Sequence, residues 1–561
     1  MLEAASQALD ALKNSFPFAF FAFVPLVFIV VSPSAVNAAH EFTVYRMQQY
    51  DLQSKSYGCR NSLVNMEART LSSGNSLARK CVVVHARDMT YERYMEAVER
   101  AMGALLIVLP QNGTTEDMKH FMALEKDLLE EQTNVPIYFA HEDENLDSLM
   151  YDVQKSTSDD AESALEALLN SATSVGYQLV TSGGQSKPQF DHSIVNIQGY
   201  LPGLGKEDQL PTIAIVAHYD SYGIAPYLSY GANSDASGVV AVIELSRILS
   251  KLYSNLRTHP KHNILFLLSG GGKFNYQGTK RWIEDALDNP TAGSETISNL
   301  LSNVNVVLCL DSLASKAGHL HMHVSKPPKD GSHTHDMYTQ IEKASALEHA
   351  TNTTLIHKKI RLSADTLAWE HERYSIRRLP AVTLSSLESF DETARFSVMD
   401  QRGTVNDDTL MQNIRIINEA VLRYIYNVPT DNEDRISHGD YEVHNEYVST
   451  WLDYLASQPR PEQDMHEKHP VVTSLESVFQ KHLKNVQKVS FKADKRDPEF
   501  VLYDGLQRQM SASMVRSAVF DLYLSVIIAS YVTLVFFAIS KFSVVRGMAT
   551  KLSNFQKIKT S

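Results

Sequence analysis

Over the central half of the chain, short apolar runs rich in β-branched residues alternate with longer segments whose apolar residues recur every three or four positions. That is the pattern of strands buried on both faces and separated by amphipathic helices. The runs predict strands at Ile213–Ala217, Asn263–Leu268, Val304–Leu310, His319–Val324 and Ala381–Ser385. The helical period predicts helices at Gly238–Leu252, Gly278–Leu287, Asp336–Leu347, Ser363–Arg373 and Thr409–Tyr426, with Asp235 or Ser237 available to cap the first. Residues 194–427 therefore read as an α/β domain, a sheet with helices on both faces. Residues 39–193 read as a smaller α/β lobe. Its strands are expected at Cys81–His85, Ala104–Leu109 and Val135–Phe139, and its helices at Tyr91–Met102, Asp117–Glu131 and Asp159–Thr173. Residues 428–517 are charged and interrupted by Pro429, Pro459, Pro461 and Pro470; helices at Tyr447–Ser457 and Leu475–Val489 predict a stalk or accessory layer.

Two apolar stretches have no polar face. Phe16–Val31, followed by Pro33 and by the small residues Val36-Asn37-Ala38, predicts a signal peptide over 1–38, with an uncleaved signal anchor as the alternative. Leu522–Ser540 offers about 19 apolar or small residues, enough to cross a bilayer, and predicts a transmembrane helix over 518–540. Lys541, Arg546, Lys551, Lys557 and Lys559 follow without an acid, which assigns 541–561 to the cytoplasm and makes the chain a single-pass type I protein with its bulk lumenal. Lys557 and Lys559, close to the carboxyl terminus, resemble a dilysine signal for retrieval to the endoplasmic reticulum. A lumenal body gives meaning to the glycosylation sequons at Asn112 and Asn352.

At 561 residues with 43% hydrophobic content the chain exceeds one ordinary domain. A net charge of −13 without a basic stripe argues against nucleic-acid binding. Of the three cysteines, Cys59 and Cys81 could pair in an oxidising lumen, a pairing the sequence leaves open, and Cys309 reads as a buried thiol.

The chemistry-bearing stretch is Thr212–Gly238. His218 and Asp220 end a strand, where open α/β sheets hold their ligands, and Gly231-Ala232-Asn233-Ser234-Asp235-Ala236-Ser237-Gly238 leads into a helix. These residues resemble the di-zinc M28 aminopeptidases and their non-peptidase relatives of the nicastrin and nicalin group. The resemblance implies an M28-like fold and a checklist of ligands: a His, a bridging Asp, a Glu-Glu pair, a further Asp and a late His. His218 and Asp311 match, and Asp220 matches the acid that orients the imidazole. Ser234 stands at the bridging Asp, Gly272 and Lys273 at the Glu-Glu pair, and Leu384–Val405 contains no histidine. Trp369–Tyr374 followed by Leu379-Pro380-Ala381 resembles a further family motif. Glycine supplies neither base nor ligand, and a lysine places a cation where a dication belongs. The expectation is a degenerate peptidase with no catalytic residue, no metal and no cofactor. The rival expectation is an active lumenal metallo-aminopeptidase with a remodelled site. His319, His321 and His323 share one strand face and read as a solvated surface. Gly270-Gly271-Gly272-Lys273 lacks the spacing of a phosphate loop, and no Gly-x-Ser-x-Gly elbow occurs.

The resemblance also covers His40–Tyr50, the run ending at Trp282, Val324–Pro328 and Ala493–Phe500. It implies a non-catalytic subunit of an endoplasmic-reticulum membrane complex, partnered by a Nodal modulator-like lumenal protein and a small multi-spanning membrane protein. It further implies association with the translocon for multi-pass proteins, and roles in receptor assembly and Nodal signalling.

Overall fold

A computed structural model describes residues 40–537, apart from 73–75, 112–113, 158–174, 289–294, 317, 351–352, 495, 497, 517–521 and 523–524. The expected signal peptide, the helix expected at Asp159–Thr173, both sequon asparagines (Asn112 and Asn352) and the lysines Lys557 and Lys559 lie outside the described residues.

The chain begins with β1 (His40–Arg46), β2 (Gln49–Leu52), β3 (Lys55–Cys59), β4 (Asn65–Arg69) and β5 (Lys80–His85). α1 (Tyr91–Glu99), β6 (Ala104–Leu109), α2 (Thr115–Glu130), β7 (Gln132–Thr133), β8 (Ile137–His141), α3 (Glu144–Thr157) and β9 (Val175–Thr181) follow. β6 is buried at every position, which is why it reads as an uninterrupted apolar run. α2 starts at a reciprocal capping box between Thr114 and Asp117.

The main sheet and its helices come next: β10 (Ser193–Leu201), β11 (Thr212–His218), α4 (Ser237–Ser254), β12 (Asn263–Ser269), α5 (Gln277–Asp288), α6 (Glu295–Ser302) and β13 (Val304–Leu310). Then follow β14 (His321–Val324), α7 (His333–Leu347), β15 (Thr354–His357), α8 (His371–Ile376), β16 (Ala381–Ser385) and α9 (Asp407–Ile425). The chain continues through α10 (Asn445–Ala456), α11 (Pro470–His482), β17 (Lys484–Lys492), β18 (Phe500–Leu502) and β19 (Gln507–Arg516).

Eight strands form the main sheet in the order β15-β14-β16-β13-β11-β12-β10-β17. β12, β11, β13 and β16 run parallel at its centre. The chain passes from β11 to β12 on one side and then to β13 on the other, so a crevice opens at the carboxyl end of β11. One face carries the largest core, with Val239–Ile243 of α4, Ile414 and Ile417 of α9, Leu452 of α10 and Leu475 and Phe479 of α11. The other is covered by Trp282 and Ile283 of α5, Leu300 of α6 and Tyr374 of α8.

Residues 428–517 do not form a stalk. α10 and α11 seal the largest core, β17 pairs antiparallel with β10, β18 pairs with β2, and β19 joins β1 to β9 within a closed barrel, β1-β19-β9-β4-β5-β6-β8. The prolines punctuate packed elements rather than a linker. The smaller lobe is thus completed by a strand from the far end of the chain.

Three other expectations change. Residues 362–370 are turns, and the helix is confined to α8, because Leu367 N donates to Asn275 Oδ1 and Asp365 O accepts from Asn275 Nδ2, removing groups a helix would use. The expected helix Leu475–Val489 ends at His482 and gives way to β17. Cys59, Cys81 and Cys309 are all buried free thiols. Cys59 Sγ donates to backbone oxygens of Asn61 and Val135, while Cys81 belongs to a different core cluster, so the two do not pair.

Residues 525–537 are helical, with Val526, Ile527, Val532 and Leu534 more than half exposed. Among the described residues no helix is long and apolar enough to cross a membrane, and the expected span over 518–540 runs beyond them at both ends.

Candidate functional site

His218, the last residue of β11, stands with its ring in the crevice and is 1% exposed. Asp311 follows β13, and the loop Gly270–Tyr276 follows β12, so the topology brings the sequence-nominated positions together. What surrounds them differs from a metal centre.

Both imidazole nitrogens face carboxylates. Nε2 lies 3.0 Å from Asp235 Oδ1 and Nδ1 lies 3.5 Å from Glu370 Oε2. Neither contact is aligned as a hydrogen bond, so they act as close ion pairs. Burial and the nearby Lys273 ammonium both oppose protonation, but Asp235 and Glu370 outweigh them and raise His218 to about 9. An imidazolium has no lone pair to give a metal. Glu370, rather than Asp220, is the acid on the second nitrogen. Asp220 instead accepts from the amide of Gly272 at 2.8 Å, and burial together with Glu462 pushes its carboxyl up to about 7.

The bridging position shows how a one-residue shift is absorbed. Ala232–Ala236 forms a π-turn, closed by Ala236 N donating to Gly231 O at 2.9 Å. This turn directs Asp235, not Ser234, toward His218. Ser234 donates its hydroxyl to Asp235 Oδ2 at 2.7 Å, and Asp400 accepts the amides of Asn233 and Ser234. Gly231 lies at φ 55°, and a Cβ there would stand 2.1 Å from Asp235 Oδ2, so the turn requires glycine. Neither expected cap forms: Asp235 faces His218, and the Ser237 hydroxyl donates to Asn233 O.

Cations fill the remaining places. The Lys273 ammonium lies 3.4 Å from Asp235 Oδ1, and its side chain is 1% exposed. Arg395 grips Asp311 through Nη2–Oδ2 at 2.5 Å and Nε–Oδ1 at 3.3 Å. The same guanidinium donates to Tyr276 Oη at 2.7 Å and Ala368 O at 2.9 Å, and stacks over Trp369 at 4.2 Å. Burial would raise both acids, yet Lys273 and His218 hold Asp235 below its ordinary value, and Arg395 holds Asp311 far below the carboxylate range. Arg395 lies in the stretch where the late His was sought, so a fixed cation comes from the segment that would have supplied a ligand.

Gly272 is more than a missing base. A Cβ there would stand 2.4 Å from His218 Cβ and Cγ, because the loop has closed onto the ring. The closure is held under backbone strain. Asn275 and Tyr276 lie at φ 58° and 53°, and Ser312 after Asp311 at 53°, each fixed by its surroundings. These residues do not fit a pair of zinc ions: Asp235 and Asp311 each already have a cation, and the position of the base has no room for a side chain.

The expected stalk also reaches the site. Arg460 donates to Tyr219 O at 2.9 Å and Gly231 O at 3.1 Å, and Glu462 accepts the Gly271 amide at 2.8 Å. Asp235, Glu370, Arg395, Arg460 and Glu462 were all missed by sequence reasoning. Glu370 alone had a signal, since it lies inside the Trp369–Tyr374 motif.

The histidine ladder is only partly solvated. His323 is buried, bonded to Leu387 O at 2.9 Å and stacked on Trp369 at 4.3 Å, and burial lowers it to about 4. His319 is exposed and His321 half-buried.

Comparison with known proteins identifies the family. Residues 147–452 match the model of Peptidase family M28. The BOS complex subunit NCLN of Homo sapiens is 46% identical over 565 residues, covering 98% of this chain and 99% of that protein. Nicalin of Caenorhabditis elegans is 32% identical, covering 88% and 89%. The crystal structure of the gamma-secretase component nicastrin shares the fold, with a TM-score of 0.57 at 10% identity, over 84% of this chain and 98% of that one. The chain therefore belongs to peptidase family M28 and, within it, to the nicalin group of BOS complex subunits.

Proposed function

We propose that the chain is a non-catalytic scaffold subunit of a membrane complex of the BOS type, resident in the endoplasmic reticulum. The observation that supports this reading is the pairing of two buried acids of the crevice with side-chain cations, Asp235 with Lys273 and Asp311 with Arg395. A site whose charge is balanced by covalently attached cations keeps the fold without ions and has no means of activating water. The lumenal body serves as a docking surface for a Nodal modulator-like protein, and the segment 518–540 holds it beside a small multi-spanning partner. In this reading the complex works with the translocon that handles multi-pass proteins, and with receptor assembly and Nodal signalling. Asn112 and Asn352 carry glycans, and Lys557 and Lys559 return the chain to the reticulum.

Purification of the tagged full-length protein from mild detergent tests this. The expected result is stoichiometric recovery of one large lumenal and one small multi-spanning partner, glycans that remain sensitive to endoglycosidase H, and far less than one zinc per chain. Stoichiometric zinc with chelator-sensitive release of amino-terminal residues would establish the active aminopeptidase instead.

A further inference from the structure

The crevice above the filled site remains a cavity of about 470 Å³, within the range of ligand pockets. Tyr50, Tyr222, Tyr276 and Phe396 form much of its wall, and Lys273 and Arg395 lie at its base. The rings pack edge to face, Tyr222 against Phe396 at 6.1 Å and Tyr50 against Tyr222 at 6.3 Å, which makes this side of the wall stiff and apolar, while Lys55, Lys126, Glu130, Asp365 and Asp391 line the rest.

The two basal cations are not equivalent. Arg395 spends its donors on Asp311, Tyr276 and the backbone oxygens of Ala368 and Phe390. Lys273 has three N–H donors and, among the described residues, no hydrogen-bonded acceptor. Its nearest acid, Asp235 Oδ1, is 3.4 Å away and off line, the Phe396 ring lies at 5.5 Å, and His218 and Asp311 are close enough to feel its charge. A buried ammonium left this way is unfavourable by the full desolvation of its donors unless something else accepts from it.

We propose that this cavity binds a peptide carboxylate carried next to an aromatic or large apolar residue, with the carboxylate accepting from Lys273 and the side chain lying against Tyr222 and Phe396. An aminopeptidase cleft receives a free α-amine; a lysine at its base reverses that preference, because an ammonium repels an amine and attracts a carboxylate. The inference rests on the metal-free site described above but not on membership of a complex. A zinc-loaded protein would refute the scaffold reading, whereas the peptide comparison is read on the metal-free protein by itself.

The test is binding of labelled tetrapeptides to the full-length protein in detergent. The set is an N-acetylated peptide ending in Phe with a free carboxylate, its carboxyl-terminal amide, an amidated peptide with Asp beside Phe, and an amidated peptide with a free α-amine. One charge-assisted hydrogen bond predicts a free carboxylate at least about tenfold tighter than its amide. The Asp peptide reports whether the carboxylate is a chain terminus or a side chain. Lys273→Met is expected to erase the difference and Lys273→Arg to keep part of it. Phe390→Ala, at the half-buried rim of the cavity, is expected to weaken binding several-fold in a folded protein. Equal binding of acid and amide, a requirement for the free amine, undiminished selectivity in Lys273→Met, or no binding of any peptide would each overturn the proposal; the first two need no variant.

Discussion

The main sheet and the lobe's barrel each have a core of parallel strands, and the carboxyl ends of those strands differ in character. In the main domain the charged groups at the base of the crevice beyond β11 and β13 are buried, and its acids are matched by His218, Lys273 and Arg395. In the lobe, His85 at the end of β5 comes together with Glu142 and Asp147, their ligand atoms all within 4.8 Å of one another. That is the one such cluster of three among the described residues, and it borders an open cavity of about 1040 Å³ that Arg87, Arg93 and Arg100 also line. The buried crevice thus holds its acids in ion pairs with side-chain cations, while the ligand-like grouping stands at the exposed end of the lobe's strands. Residue types alone therefore do not identify a site. Burial decides, since it makes the main-domain charges interact strongly and leaves the lobe's charges to water.

The largest expected effect is at Arg395. Arg395→Met leaves Asp311 buried and unpaired, a loss of about 3–5 kcal/mol, read as a lowered denaturation midpoint of the full-length protein. The Asp311→Asn/Arg395→Met double variant is expected to recover much of this by removing the stranded charge. If the single variant is as stable as the parent, the cation is not what replaced the metal.

Next is the pH dependence set by His218. Its folded value, about 9, lies above the ordinary 6.5, so its contribution is complete below pH 6.5 and is lost as pH rises through 9. At about 1.4 kcal/mol per unit the loss is bounded at roughly 3 kcal/mol. Glu125, buried beneath the lobe and accepting the amides of Ile224 and Val398, is raised by burial to about 7 and adds a loss in the same direction between about 4.5 and 7. Melting temperatures across pH 6.5–9 are expected to fall in the parent and to stay nearly flat in His218→Gln. A parent curve that rises over this interval would reverse the sign assigned to the imidazole.

Smaller again is the effect of Gly272→Glu, which restores the family's base in name. Its Cβ meets the His218 ring, so the variant is expected to lose about 1–3 kcal/mol through overpacking and to gain no zinc. Metal analysis and thermal melts of the same preparation check both halves.

The sequence made the central strands plain because β13 and β16 are short apolar runs buried on both faces. It also located the site, because His218 and Asp311 close such runs. It hid Asp235, whose direction depends on a π-turn that no periodicity reports, and Arg395, which in a charged loop is indistinguishable from a solvated arginine. It hid β19 for a different reason. Gln507–Arg516 is polar and low in contrast, and becomes a strand only by pairing with β1 and β9, segments more than 300 residues earlier. The prolines of 428–517 left a stalk and an accessory layer both open, and the full burial of Leu475 and Phe479 decides for the packed layer.

The smallest effect belongs to the lobe. Asp147 is exposed, and His85 and Glu142 keep a quarter to a third of their side chains in water, with Nδ1 and Oε1 3.9 Å apart. Charges so placed are screened, and exposed pairs of this kind contribute about 0–1 kcal/mol. Asp147→Asn is expected to change stability by less than about 0.5 kcal/mol, and added zinc to leave the melting temperature of parent and variant equally unaffected. A zinc-dependent rise in the parent that Asp147→Asn removes would mean that the lobe's carboxyl end holds an ion. The contrast between the two strand ends would then be one of relocation, with metal binding found at the exposed end in the lobe rather than among the buried ion pairs of the main domain.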